Sequence, residues 1–145
     1  MIFDPIKFLD LATKLLYDIN YDEDARYRTC VSRAYYATHL FTREKLEKLG
    51  VTFPAEKDES KGIIHYRVIE ALKSLKEKDK IVSGRKREKK LWQKLNDLRE
   101  KRGEADYDMN KNFLNMEVRV MLYITDAEDI IKKVDKLTSS DFLKI

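Results

Sequence analysis

The stretch Asp22–Gly50, DEDARYRTCVSRAYYATHLFTREKLEKLG, decides the fold. Its first turn carries Asp22, Glu23 and Asp24, which suits the positive end of a helix. Tyr27, Val31, Ala34, Thr38 and Phe41 then recur at spacings of three and four, one apolar stripe of a helix. Gly50 is the expected stop. Cys30, Ala37 and Leu40 carry the apolar character further around the cylinder. A helix of this kind is central in a bundle or lies in a dimer interface.

Working outward, Asp4-Pro5 reads as a helix start, because Asp caps free N–H groups and Pro fits a first turn. Phe8, Leu9, Leu11, Ala12, Leu15 and Leu16 follow, and this helix is expected to end near Asp18. Beyond the connector Gly50–Ser60, a third helix is expected from Lys61 to Lys76, with Ile63, Ile64, Val68, Ile69, Leu72 and Leu75 inward. Ser83 is the expected cap of a fourth helix that buries Leu91, Trp92, Leu95 and Leu98 and fades near Arg102-Gly103. Glu104–Asn110 is expected as a polar turn. From Asn110 a long fifth helix runs through Phe113, Met116, Val120, Ile124, Ala127, Ile130, Ile131, Val134 and Leu137. The expectation is an all-α, up-and-down bundle of about five helices and no sheet. One domain covers residues 1–137, and residues 138–145 are a loosely ordered tail.

Composition narrows the class. The chain has 145 residues, 43% hydrophobic and 39% charged, so it holds enough apolar residues for a core. Four Gly and two Pro are too few for an all-β fold or a Gly-rich nucleotide fold. One Cys excludes an internal disulfide and a multi-Cys zinc site, and two His argue against a His-rich metal centre, so neither metal nor cofactor is expected. No apolar run approaches the ~18 residues that span a membrane. The N-terminus lacks a signal-peptide pattern, and a cytoplasmic location is expected.

The net charge of +4 hides an asymmetry, with +9 in residues 61–102 and −5 elsewhere. Residues 80–90, KIVSGRKREKK, hold six bases and one acid. Such a segment is either a solvated surface or a contact for nucleic acid or an acidic partner.

Arg28, Ser32, Tyr35 and His39 fall at roughly 0°, 40°, −20° and 20° around the second helix. Four hydrogen-bonding side chains thus share one strip of a largely apolar helix. The strip is either a self-satisfied buried network or the wall of a polar groove for a ligand or RNA. His65, at the start of an apolar helix, reads as structural.

The segment Tyr27–Ala37, YRTCVSRAYYA, resembles the long second helix of HEPN domains. Leu98–Tyr107, LREKRGEADY, resembles their second signature, an Arg followed by an Ala-Asp-Tyr turn. Element order, length and the long last helix also fit. The resemblance covers most of the chain. It implies an all-α bundle that commonly dimerises and associates with RNA or nucleotides. It also implies a partner, since small prokaryotic HEPN proteins often form a toxin–antitoxin-type module with a minimal nucleotidyltransferase.

Many HEPN domains are metal-independent ribonucleases, with an Arg four to six residues before a His near the start of the last helix. A His can move the proton of an RNA 2′-hydroxyl, and an Arg can hold the phosphate. Here no His follows Arg99 or Arg102. Asp106 and Tyr107 stand in its place, and neither suits that proton transfer near neutrality. Arg33 and His39 have the literal spacing, but on one helix they stand ~120° apart. Arg33, His39, Arg102, Asp106 and Tyr107 are therefore only weak catalytic candidates. Arg28, Ser32, Tyr35, Arg99 and Arg102 are the ligand-binding candidates. Arg33 needs a partner if partly buried, and Asp106 is the natural one.

Three readings stay open. The first is a dimeric HEPN-like binding module for RNA or nucleotide with a nucleotidyltransferase partner. The second is a divergent ribonuclease, and the third a structural helical adaptor.

Overall fold

The computed structural model describes residues 3–53, 61–77, 81–83 and 86–143. Five α-helices follow one another: α1 (Ile6–Leu15), α2 (Glu23–Lys48), α3 (Lys61–Lys73), α4 (Leu91–Tyr107) and α5 (Glu117–Asp135). The fold is all-α, a helical bundle. None of these helices is long and apolar enough to cross a membrane.

Local chemistry sets the ends of α2 where the sequence places them. The Asp22 carboxylate accepts from the Ala25 N–H at 3.0 Å. At the other end Gly50 has φ 105°, and the Val51 N–H returns to the Leu46 carbonyl at 2.9 Å, a Schellman ending that only Gly enters without strain. Between them α2 is the axis of the bundle, packed chiefly against α1, α4 and α5 and less against α3. Most of its apolar residues are used inside the fold, while Tyr36, Leu40 and Phe41 stay partly exposed. Cys30, Val31, Ala34, Ala37 and Leu46 are fully buried. The helix is central in the bundle.

The connections differ from expectation. A short antiparallel hairpin, β1 (Ile81–Ser83) with β2 (Lys86–Arg87), is an exception to the expected absence of sheet. Ser83 thus lies in a strand and caps no helix. The fourth helix opens at Leu91, whose N–H donates to the Glu77 carboxylate at 3.1 Å, while the Lys90 N–H donates to Gln93 Oε1 at 2.7 Å. Helix α3 stops at Lys73, before Lys76, and Ile63 and Leu11 are exposed rather than inward. Trp92 is half-buried, with the Lys73 ammonium 4.6 Å above its ring.

Helix α4 runs through Gly103 to Tyr107, so Ala105, Asp106 and Tyr107 are helical rather than a turn. Gly costs only about 1 kcal/mol inside a helix, and burial of Leu98 and Ala105 on either side outweighs it. Helix α5 begins at Glu117, not Asn110. Residues 111–116 form a loop held by α2's first turn: the Phe113 and Asn115 N–H groups donate to Asp24 and Glu23 at 3.2 and 3.0 Å. The tail is not loose as far as Leu143. A 3-10 turn (Ser139–Asp141) leads to Phe142, which is buried. The Lys76 N–H donates to the Asp141 carbonyl, and the Leu143 N–H to that of Ser74, both at 2.8 Å.

Candidate functional site

The strip on α2 and the end of α4 come together. Ser32 donates to Asp106 Oδ2 at 3.2 Å, and Arg33 donates to Ser32 Oγ at 3.2 Å. Arg33 therefore reaches Asp106 only through Ser32, and its guanidinium lies 4.8 and 5.1 Å from the ring centres of Phe8 and Tyr36. Arg28, Ser32, Arg33, Ala105, Asp106 and Met109 line a shallow cleft of about 450 Å³.

The Arg28 guanidinium is held inside the fold. Its guanidinium donates to the carbonyls of Ala105 at 2.9 Å and Asp108 at 3.0 Å, and also to those of Glu104 and Lys111. Its Nε pairs with Asp24 at 3.1 Å. It ends α4 from a neighbouring helix by meeting carbonyls that a helix end leaves without partners. Arg28, expected among the ligand-binding residues, is thus engaged inside the fold.

The other half of the strip meets α3. Tyr35 Oη lies 2.5 Å from His65 Nδ1. The rings of His39 and His65 stack with centres 4.1 Å apart and 20° between planes. His39 is 3% exposed and its Nδ1 has no hydrogen-bond partner. Arg102 lies 5.3, 5.5 and 5.6 Å from the ring centres of Tyr35, Tyr36 and Tyr107. It pairs loosely with Asp106 at 3.8 Å, and its buried Nε is unpartnered. Tyr107 is exposed. The literal Arg33–His39 pair does not converge: one stacks on Phe8 and Tyr36, the other on His65.

Burial and the nearby arginines shift both histidines in one direction. Burial pushes His39 down to about 3, and His65, Arg43, Arg99 and Arg102 lower it further. Burial pushes His65 down to about 4, followed by Arg99, Arg102 and Arg43. No carboxylate acts in the opposite direction on either ring. Both histidines are neutral at pH 7, facing three guanidiniums. Burial also raises the Tyr35 phenol well above its ordinary value, against Arg99 and Arg102. Tyr35 thus stays a neutral hydroxyl.

Two members escape the sequence reading. Arg43 continues the strip one turn beyond His39, ~60° from Arg28 around α2, and its position was legible. His65 was not legible as a site residue, because only the packing of α3 on α2 brings it to His39. Among the described residues, no group of three or more His, Cys, Asp and Glu side chains is arranged to hold a metal ion. A scan of family models, a search of curated proteins and a search of solved structures each find no match.

Proposed function

We propose that this chain is a HEPN-like binding module that takes RNA or a nucleotide by its phosphate at the α2–α3–α4 cluster, in a cytoplasmic module with a minimal nucleotidyltransferase. One observation carries the reading. Arg99 bears on two neutral histidines with no hydrogen bond or ion pair of its own among the described residues, beside Arg43, which pairs with Glu47 at 3.0 Å, and Arg102, which pairs loosely with Asp106. Arginine forks match phosphate oxygens, and neutral His and Tyr rings supply hydrogen bonds and stacking surfaces beside them. Arg99 makes no hydrogen bond or ion pair with any described residue, so its fork is unspent inside the fold.

Fluorescence anisotropy with a labelled single-stranded RNA, competed by ATP, tests this. Arg99→Ala is expected to weaken binding at least tenfold, about 1.4 kcal/mol, with unchanged melting. The salt dependence should become shallower by roughly 0.7 in log–log slope. Absence of binding by the native protein at low salt, or an unaffected Arg99→Ala, would overturn the reading in favour of the structural adaptor.

A second reading, the metal-independent ribonuclease, gains from the same cluster. The histidine missing after Arg102 is supplied in space by His65 and His39. An arriving phosphate would also raise their pKa values from the depressed range toward neutrality. Incubation with RNA in EDTA separates the two. Binding alone leaves the RNA intact, which is the expected result, whereas cleavage abolished by His65→Ala or His39→Ala establishes the enzyme.

The homodimer is also proposed, on a different face from the one the sequence favoured. Exposed apolar residues that α2 does not absorb gather on α5 as Val118, Met121 and Leu122, with the Tyr17 hydroxyl 3.4 Å from the Met121 sulfur. Sedimentation at tens of micromolar (about the range that detects a Kd near 1 μM) is expected to show a dimer that Met121→Asp dissociates. Monomer alone in the native protein refutes it.

A further inference from the structure

The cluster between α2, α3 and α4 holds two bases that its own cations keep uncharged. On α2, Tyr35 and Tyr36 wall the His39–His65 stack. The Tyr35 ring lies within 30° of parallel to both histidines, with centres 5.7 and 5.6 Å away, and Tyr36 meets both edge-on at 6.5 and 6.1 Å. Arg43 acts on the stack from α2, and Arg99 and Arg102 act on it from α4. Two carboxylates pair with these cations, Glu47 at 3.0 Å from Arg43 and Asp106 at 3.8 Å from Arg102, but neither acts on a histidine ring. The two rings differ in depth. His39 is 3% exposed, whereas His65, which α3 brings in, is partly exposed.

Tyr35 fixes where the His65 proton sits. The Tyr35 side chain is fully buried, and its hydroxyl meets His65 Nδ1 at 2.5 Å, its one hydrogen bond among the described residues. The phenol stays protonated, and a buried O–H without an acceptor is costly, so Tyr35 donates and Nδ1 accepts. The ring proton of neutral His65 therefore sits on Nε2. A second proton enters only at Nδ1, and the Tyr35 hydroxyl must then turn to accept it. Among the described groups nothing offsets that turn or the three guanidiniums. A phosphate held by Arg99 reverses the balance, because an opposite charge within about 4–6 Å favours the protonated ring. His39 is the weaker acceptor because it is more deeply buried, and its ring centre is 4.1 Å from that of His65. Two cations at that separation repel strongly, so the stack takes one proton and not two.

We infer that phosphate binding at this cluster is proton-linked: a phosphate held by Arg99 and Arg102 brings one proton onto His65 Nδ1, with the Tyr35 hydroxyl turning from donor to acceptor. This rests on the phosphate reading of the Arg99 cluster and adds the regulation of that site by pH. The ring takes a proton more readily in the complex than in the free protein, so affinity rises as pH falls through the pKa of the complex. It levels off below the pKa of the free protein, about 4, where His65 is protonated with or without ligand. A lift of about two units, the middle of the range for an adjacent opposite charge, puts the complex near pH 6.

The probe is a twelve-nucleotide oligouridylate without terminal phosphates, whose uracil and diester groups do not titrate between pH 6 and 7.5. Calorimetric titration of the native protein, in buffers of different ionisation enthalpy, reads the protons taken up on binding. About half a proton per site is expected at pH 6 and almost none at pH 7.5, with affinity about twofold higher at pH 6. His65→Gln is expected to bind through Arg99 and to lose both the uptake and the pH dependence. Proton NMR gives the same answer without a substitution, since the chain has only two histidines. With the oligouridylate bound, one histidine resonance should titrate near pH 6, and in the free protein neither should do so. Native uptake below about a tenth of a proton at pH 6, the value left by a lift of only about one unit, overturns the inference. So does uptake that persists in His65→Gln, or titration of both resonances in the complex. The failures are separable. If the native protein binds no oligouridylate, the phosphate reading falls and the proton link with it. If Arg99→Ala weakens binding but the native protein takes up no proton, only the proton link falls.

Discussion

Arg28→Ala is expected to lower the unfolding free energy by about 3–5 kcal/mol, the range for removing one partner from a buried charged network. The side chain is only 14% exposed, and its guanidinium holds together parts of the chain more than 70 residues away. On one side it pairs with Asp24, which also accepts from the Phe113 N–H. On the other it satisfies carbonyls at the end of α4 and in the loop after it. Its planar face also covers the buried Phe113 ring at 4.7 Å. Removing it leaves these carbonyls without a donor and the Phe113 ring partly uncovered. Lysine keeps the charge but not the fork, so Arg28→Lys is expected to recover less than half of the loss. Urea unfolding of the three proteins measures this. A loss below about 1 kcal/mol would mean that water replaces the guanidinium at this helix end.

The second large effect is a loss of stability on mild acidification. His39 and His65 have folded pKa values of about 3 and about 4, both below the ordinary 6.5. Above pH 6.5 both rings are neutral folded and unfolded, and the contribution is fully present. As pH falls below 6.5 the unfolded chain takes up two protons that the fold refuses, so stability falls until the folded values are reached. The slope approaches about 2–3 kcal/mol per pH unit for the pair. Carboxylates whose folded pKa is lowered, such as Glu104 beside Lys111, add losses only as pH drops below their ordinary 4.5. The window between pH 6.5 and 5 therefore belongs to the histidines. Denaturant midpoints at pH 7, 6 and 5 are expected to fall steeply, and in His65→Gln about half as steeply. Parallel pH profiles in the two proteins would show that His65 protonates as readily in the fold as in the open chain.

These two expectations also separate what was legible in the chain from what was not. The limits of α2 were legible because Asp22 and Gly50 act on backbone groups within a few residues. The strip Arg28, Ser32, Tyr35, His39 was legible because a helix converts spacing into direction. The start of α4 was not. Ser83 had the chemistry of a cap, but strand pairing claimed it, and the actual cap comes from Glu77, 14 residues before Leu91. The start of α5 was missed for a related reason. Phe113 continues the apolar period of that helix, yet the carboxylates of α2 and the Arg28 guanidinium hold it in a loop.

The sequence by itself determined the all-α class, the central helix and the face on which its polar groups stand, since all three follow from periodicity and local capping. Only the tertiary structure decided what those polar groups do. Arg28 and His39 lie on one strip and look alike in sequence. Packing spends the first on carbonyls of α4 and sets the second against His65 near Arg43, Arg99 and Arg102. The reason is physical: a side chain's direction is set by its own helix, whereas its partners and its charge state are set by whatever the rest of the chain brings within a few ångströms.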